Sequence, residues 1–88
     1  MKRPLNFAIL KYMTTVEKAC ADDVVAALKP EYPTHRKLNH KDVLESLMTA
    51  KENGLLEEAS YLLDEKGDLV MYYSAPAECA EAINHYIK

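Results

Sequence analysis

The segment 38–56 constrains the fold most, because its pattern is that of one helix with a marked start and a marked end. Asn39 is a strong N-cap, since its side-chain oxygen can accept a hydrogen bond from a free main-chain N–H of the first turn. Asp42 stands three residues later, where a capping-box side chain reaches back to the cap. Gly54 predicts the end of the helix, because glycine adopts a left-handed conformation at no steric cost. We therefore predict a helix over 39–53. Its apolar stripe consists of Val43, Leu44, Leu47, Met48 and Ala50.

Three further helices are predicted from apolar residues at helical spacing and from the prolines that flank them. The first covers 4–14, and the second covers 21–29 and is closed by Pro30. The last covers 77–87 and starts after Pro76, since proline suits the first turn of a helix. The apolar stripes must share one interior. The residues expected to be buried together there are Ile9, Tyr12, Leu28, Leu44, Leu47, Met48 and Leu56.

Strand character follows the central helix. Two stretches rich in strand-forming residues, 55–63 and 69–73, flank a polar turn over 64–68 that contains a glycine. This pattern predicts a β-hairpin. Tyr72 and Tyr73 are neighbours on its second strand, so they must point to opposite faces, and one of them is expected in the core.

A capped helix followed by Gly-Leu-Leu and a hairpin resembles the recognition helix and wing of winged helix-turn-helix domains. The chain is similar to the compact regulators of the MarR and PadR type, without their long additional dimerisation helices. The resemblance implies a single α+β winged helix-turn-helix domain over 1–88, in the order α-(short β)-α-α-β-β-α. It also implies a short strand at 19–20 that pairs with the wing. A different small α+β arrangement, with the hairpin packed across a layer of three helices, is the alternative.

The same resemblance implies a small transcriptional regulator that binds double-stranded DNA, with helix 39–53 in the major groove. Basic side chains near a helix N-terminus suit phosphate oxygens, whereas short polar side chains suit base edges. The expected phosphate contacts are Arg36, Lys37, His40 and Lys41. The expected base-edge contacts are Asn39, Ser46, Thr49 and Asn53, and the expected contact from the wing is Lys66.

Charge favours a second interpretation. The formal net charge is −3, and the predicted wing carries five carboxylates against Lys66 alone. Such a wing would repel phosphate. The carboxylates are those of Glu57, Glu58, Asp64, Glu65 and Asp68. The alternative function is a non-enzymatic protein-interaction module in which the acidic wing or the last helix docks a partner. An accessory protein of phage or plasmid type with the same fold is a third interpretation.

A regulator that reads a palindrome usually binds as a two-fold dimer, so a homodimer is expected. The first and last helices carry more apolar surface than terminal helices need, and they are the expected contact. The candidate interface residues are Phe7, Leu10, Ile83, Tyr86 and Ile87. The competing interpretation is that the stripe of the last helix closes the core of its own subunit.

Several classes of function have no support in the sequence. The chain has two glycines and no phosphate-binding loop, and its three histidines lie apart from any nucleophile motif. We therefore expect no catalytic residue, no metal and no cofactor. Cys20 and Cys79 are far apart in sequence, as in proteins of the reducing cytoplasm, which is the expected location. No apolar run approaches the roughly 20 residues of a membrane span.

Overall fold

The elements follow one another in the order α-α-α-β-β-α, which confirms the α+β class. The structure is a computed structural model and describes residues 3–87. Its helices and strands are α1 (Leu5–Met13), α2 (Ala21–Leu28), α3 (His40–Glu52), β1 (Glu57–Leu63), β2 (Leu69–Ser74) and α4 (Ala77–Tyr86). Each bound lies within two residues of the expectation, because capping residues, prolines and glycines mark the ends. Within the described range, the helices are too short or too polar to cross a membrane.

Helix α3 starts and ends as its sequence predicts. The Asn39 Oδ1 atom accepts a 2.9 Å hydrogen bond from the main-chain N–H of Asp42. The Asp42 carboxylate accepts from the Asn39 side-chain amide at 2.8 Å, so this acid bonds the cap residue through its side chain. At the other end Gly54 has a φ of +79°. The next N–H, of Leu55, bonds the carbonyl of Ala50 at 2.9 Å, as in a Schellman motif.

The two strands form an antiparallel hairpin whose turn is organised by Asp64. Its Oδ1 atom accepts 2.9 Å hydrogen bonds from the main-chain N–H groups of both Lys66 and Asp68. Gly67 has a φ of +83°, a left-handed conformation that glycine adopts without strain. The register shifts between Glu58 and Ser60, which leaves Ala59 as an extra residue in β1.

A third strand is present only as a one-residue bridge. The main chains of Ala19 and Tyr73 exchange two hydrogen bonds of 2.9 Å each, which makes Ala19 an antiparallel neighbour of β2. The expected pairing between 19–20 and the hairpin is confirmed at this one position. The chain then turns away, because α2 begins at Ala21.

The core lies between the helices and the base of the hairpin. Ile9, Leu28, Leu47 and Leu56 are buried in it, as expected. Tyr12 and Leu44 are half-buried and pack against this core. Tyr73 is the buried member of the tyrosine pair.

The expectation that Met48 is buried in the core is wrong, because half of its surface (50%) is exposed. Helix α3 buries Val43, Leu47 and Ala50. Met48 follows Leu47 by one residue, which turns its side chain by about 100° around the helix axis. Met48 therefore leaves the core and lies on the side of α3 that borders the hairpin.

Helix α4 packs onto the subunit itself. Ile83 and Ile87 are buried within the chain. They are therefore wrong as candidates for a dimer contact, because they have no surface left to offer a second copy. Phe7 and Tyr86 are exposed, and Leu10 is half-buried against the core. The homodimer itself stays a prediction.

Candidate interaction site

One face of the hairpin is apolar from the core to the turn. Alternate residues of a strand share a face, so Leu69 and Met71 lie on the side of the buried Tyr73. Directly opposite residues of an antiparallel pair share a face as well. Tyr61 pairs with Met71, and Leu63 pairs with Leu69. The four residues Tyr61, Leu63, Leu69 and Met71 are called the hairpin face below.

The hairpin face becomes more exposed towards the turn. Met71 is half-buried and packs against the core. Tyr61, Leu63 and Leu69 have exposed fractions of 69%, 66% and 59%. A two-stranded sheet extending past the core has no second layer to cover its apolar side. These side chains therefore remain in contact with water, at a cost of roughly 25 cal/mol for each Å² of apolar surface.

Helix α3 borders the hairpin across a groove. Leu44 and Met48 line it from α3, and Leu69, Val70 and Met71 line it from β2. Its volume is about 240 Å³. The exposed Met48 thus lies beside the hairpin face, and together they form an apolar surface that spans both elements.

Carboxylates lie at two ends of this apolar surface. The end of the groove at the start of α3 contains Asp22 and His40, joined by a 2.8 Å contact between the Asp22 Oδ1 and His40 Nδ1 atoms. The turn contributes Asp64, Glu65 and Asp68, which are exposed. Lys66 is exposed at the same turn. The surface is therefore apolar at its centre and mainly acidic at its margin.

The opposite face of the hairpin is more polar. The Lys18 ammonium donates a 3.0 Å hydrogen bond to Ser60 Oγ and lies 5.5 Å from the centre of the Tyr72 ring, within cation–π range. The pKa of the Tyr72 phenol is raised, first by electrostatic interaction with Cys20 and then by partial burial and the Asp23 carboxylate. Tyr72 is thus partly buried and contacted by Lys18 of its own chain.

All four expected phosphate contacts are at the surface. Arg36 and Lys37 are exposed in the loop before α3, and His40 and Lys41 are exposed in its first turn. His40 already contacts a carboxylate, that of Asp22. The other three cations remain a candidate anion-binding surface.

The expected base-edge contacts lie on another side of α3. The Ser46 hydroxyl donates a 3.2 Å hydrogen bond to Asn6 Oδ1 on α1. Ser46, Thr49 and Asn53 line a groove of about 520 Å³ between α1 and α3. The side chain of Asn39 is engaged in the helix cap. The structure thus brings three of the four together, but away from the hairpin.

The apolar hairpin surface is the feature that sequence reasoning missed. A signal for it exists in the strands, since Leu62 and Leu63 are consecutive and Leu69, Val70 and Met71 are consecutive. Consecutive apolar residues place apolar side chains on both faces of a strand. A hairpin alone cannot bury both faces, so the pattern indicates an exposed apolar side.

Comparison with known proteins adds no relative. Models of protein families, curated proteins and solved structures were each searched, and none of the three searches found a match.

Proposed function

We propose that this chain is a non-enzymatic interaction module that binds a protein partner through the hairpin face and Met48. One observation carries the proposal: Tyr61, Leu63 and Leu69 share one face of the hairpin and are each more than half exposed, and Leu69 lines a groove together with the exposed Met48. Contiguous apolar surface on a small protein marks interaction sites, because removing it from water on binding is favourable. An acidic margin then adds selectivity through charge.

The proposal includes a winged-helix architecture. The element order and the Ala19–Tyr73 bridge support it, since winged helices have a short strand in this place that pairs with the wing. In that arrangement α3 is the recognition helix and the hairpin is the wing. An apolar wing with acidic residues at its turn suits a protein surface better than a phosphate backbone.

The test is a selection of short random peptides that bind the wild-type chain. Their affinities are then compared for two variants that differ only in the face of β1 that they alter. Leu63→Thr changes the hairpin face, and Leu62→Thr changes the opposite face, where the leucine is also exposed (46%). Threonine keeps strand propensity and removes apolar surface.

We expect Leu63→Thr to weaken binding by about tenfold, since this corresponds to roughly 1.4 kcal/mol of lost apolar burial. Leu62→Thr should bind as the wild type does. Peptides that bind both variants equally well would contradict the proposed site.

DNA binding is the second candidate function. The observation that favours it is the exposure of Arg36, Lys37 and Lys41 around the N-terminus of α3, where main-chain N–H groups also favour anions. Anisotropy of labelled mixed duplex DNA at low salt is the measurement. Arg36→Ala or Lys37→Ala should each lower the salt slope by about one. Lys51→Ala, at the other end of α3, is the control. No binding at low salt would exclude this function.

A further inference from the structure

The outer edge of β2 is only partly covered. Ala19 pairs with Tyr73 through two hydrogen bonds, and among residues 3–87 it is the one residue that pairs with this edge from outside the hairpin. In an antiparallel ladder, a strand continuing past Ala19 would place residue 21 opposite Met71. Residue 21 instead begins α2. The chain therefore leaves the edge after one pair.

The main-chain N–H and C=O groups of Leu69 and Met71 point to this unpaired part of the edge. The peptide groups of an antiparallel strand alternate between its two neighbours. Tyr73 bonds outwards to Ala19, so Met71 and Leu69 have the same orientation, while Tyr72 and Val70 face β1. Within the hairpin, the Asp68 carbonyl accepts a 2.9 Å hydrogen bond from the Asp64 N–H. Asp68 stands two residues before Val70 and faces the first strand as Val70 does, which agrees with this alternation. Two successive outward positions are thus available for pairing.

The groove between β2 and α3 runs along this edge. Leu69, Val70 and Met71 all line it. Consecutive residues of a strand have side chains on opposite faces, so their joint presence places the groove beside the strand's edge. Leu44 and Met48 form the opposing wall on α3. A segment lying in the groove would therefore meet main-chain donors and acceptors on one side and apolar side chains on the other.

We propose that an extended segment of a partner protein adds to β2 as a third strand, in line with Ala19. Strand addition of this kind obtains affinity from main-chain hydrogen bonds and specificity from alternate side chains. Every second side chain of the segment faces Leu44 and Met48 and is apolar. This inference rests on the proposed function and specifies how the partner binds.

The remaining side chains of the segment are lysine or arginine. Glu65 and Asp68 lie at the turn beside Leu69, and Asp22 lies at the other end of the groove. A basic segment is attracted to these carboxylates. A second copy of this chain is disfavoured as the occupant, because two hairpins with five carboxylates each would come together.

The test uses a short capped peptide of alternating valine and lysine as the probe. NMR with hydrogen exchange follows the main-chain amides of the full chain. We expect the Leu69 and Met71 amides to shift and to exchange at least about tenfold more slowly with the probe bound, since new hydrogen bonds protect them. A peptide of alternating valine and glutamate should bind at least about tenfold more weakly.

Methylating the peptide's main-chain nitrogens separates strand addition from simple apolar contact. In an added strand, only alternate N–H groups face β2. One probe is methylated at every valine and the other at every lysine, and we expect one of them to lose binding and the other to keep it. Equal binding of both would overturn strand addition.

Met71→Pro and Met71→Thr provide the matched variants. Both lose the thioether side chain, but only proline also loses the outward N–H, which the hairpin itself does not use. Met71→Pro should bind the probe at least about tenfold more weakly than Met71→Thr. If Met71→Pro does not fold, the exchange rates of the wild-type amides still decide the question.

Other outcomes distinguish this inference from the proposed function. Selected peptides that depend on Leu63 yet bind as helices, with Leu69 and Met71 amides unprotected, would overturn strand addition and leave the docking function in place. Concentration-dependent self-association that protects those two amides would identify a second copy as the occupant and overturn the assignment of a basic partner.

Discussion

The Lys11 ammonium donates a 2.9 Å hydrogen bond to the main-chain carbonyl of Ile87, 76 positions along the chain. It also donates to Asn84 Oδ1 at 2.6 Å. Lysine at this place satisfies a free carbonyl at the end of α4 and complements the negative end of the helix dipole. The bond links the end of α4 to α1, the helix against which α4 packs.

Lys11→Met should loosen the end of α4. Methionine keeps an apolar stem but lacks the donor, so we expect the free energy of unfolding to fall by about 0.5–1.5 kcal/mol. Urea titration measures the loss, and exchange of the Ile87 amide reports it locally. Lys37→Met is the control, because Lys37 is exposed in the loop before α3. Equal losses in the two variants would contradict the role given to Lys11.

Leu47→Ala and Met48→Ala compare neighbouring positions of α3. Leu47 is fully buried, so its truncation should lower the free energy of unfolding by about 2–5 kcal/mol. Met48 is half exposed, and its truncation should change stability by less than about 1 kcal/mol. Chemical denaturation followed by circular dichroism measures both. A larger loss at Met48 would show that the register of α3 is wrong.

Asp64→Ala should destabilise the hairpin by about 1–2 kcal/mol, because its carboxylate accepts from two main-chain N–H groups of the turn. Asp68→Ala removes an equal charge and keeps the main-chain N–H that bonds Asp64, so it is the matched control. Cross-strand NMR contacts between Leu62 and Val70 report hairpin formation. The prediction fails if Asp68→Ala weakens these contacts as much as Asp64→Ala does.

The two neighbouring tyrosines predict loss of stability in alkali. Burial and the Glu58 carboxylate raise the pKa of Tyr73, and the pKa of Tyr72 is raised as well. The folded state therefore holds the phenolic protons more tightly than the unfolded state does. Their contribution is fully present below the ordinary value of 10.0 and is lost as the pH rises through the folded values.

Tyr73→Phe should therefore flatten the fall in unfolding free energy above that pH. The later-titrating part of the tyrosinate absorbance should also become smaller in this variant, with the contribution of Tyr72 remaining. Tyr86→Phe is the control, since Tyr86 is 84% exposed. An unchanged alkaline slope in Tyr73→Phe would contradict the assignment.

A homodimer through α1 and α4 would have to use Phe7 and Tyr86, because Ile83 and Ile87 are internal. If the dimer forms this way, Phe7→Ser should shift the sedimentation coefficient at micromolar concentration to that of a monomer. Leu62→Thr, on the hairpin, should leave it unchanged. A monomeric wild type would rule out the dimer.

Local signals in the sequence determined the elements and their order. Asn39 and Gly54 mark the ends of α3 through hydrogen bonds and a backbone conformation that involve only nearby residues. The effect of the prolines at helix ends is equally local, since a proline restricts its own backbone and removes a hydrogen-bond donor. These prolines are Pro4, Pro30 and Pro76. These effects need no partner from a distant part of the chain, so they can be predicted from the sequence.

Only the tertiary structure decided which apolar residues are covered. Helical spacing places Leu47 and Met48 in the same stripe, but Leu47 faces the core against α1 and α2, whereas Met48 lies about 100° further around α3 and is half exposed. Ile83 is internal because α1 lies against α4, while Leu69 is exposed because the two-stranded hairpin extends past the core and no second layer covers this face. Burial depends on what packs opposite a residue, and the spacing of apolar residues along the chain does not contain that information.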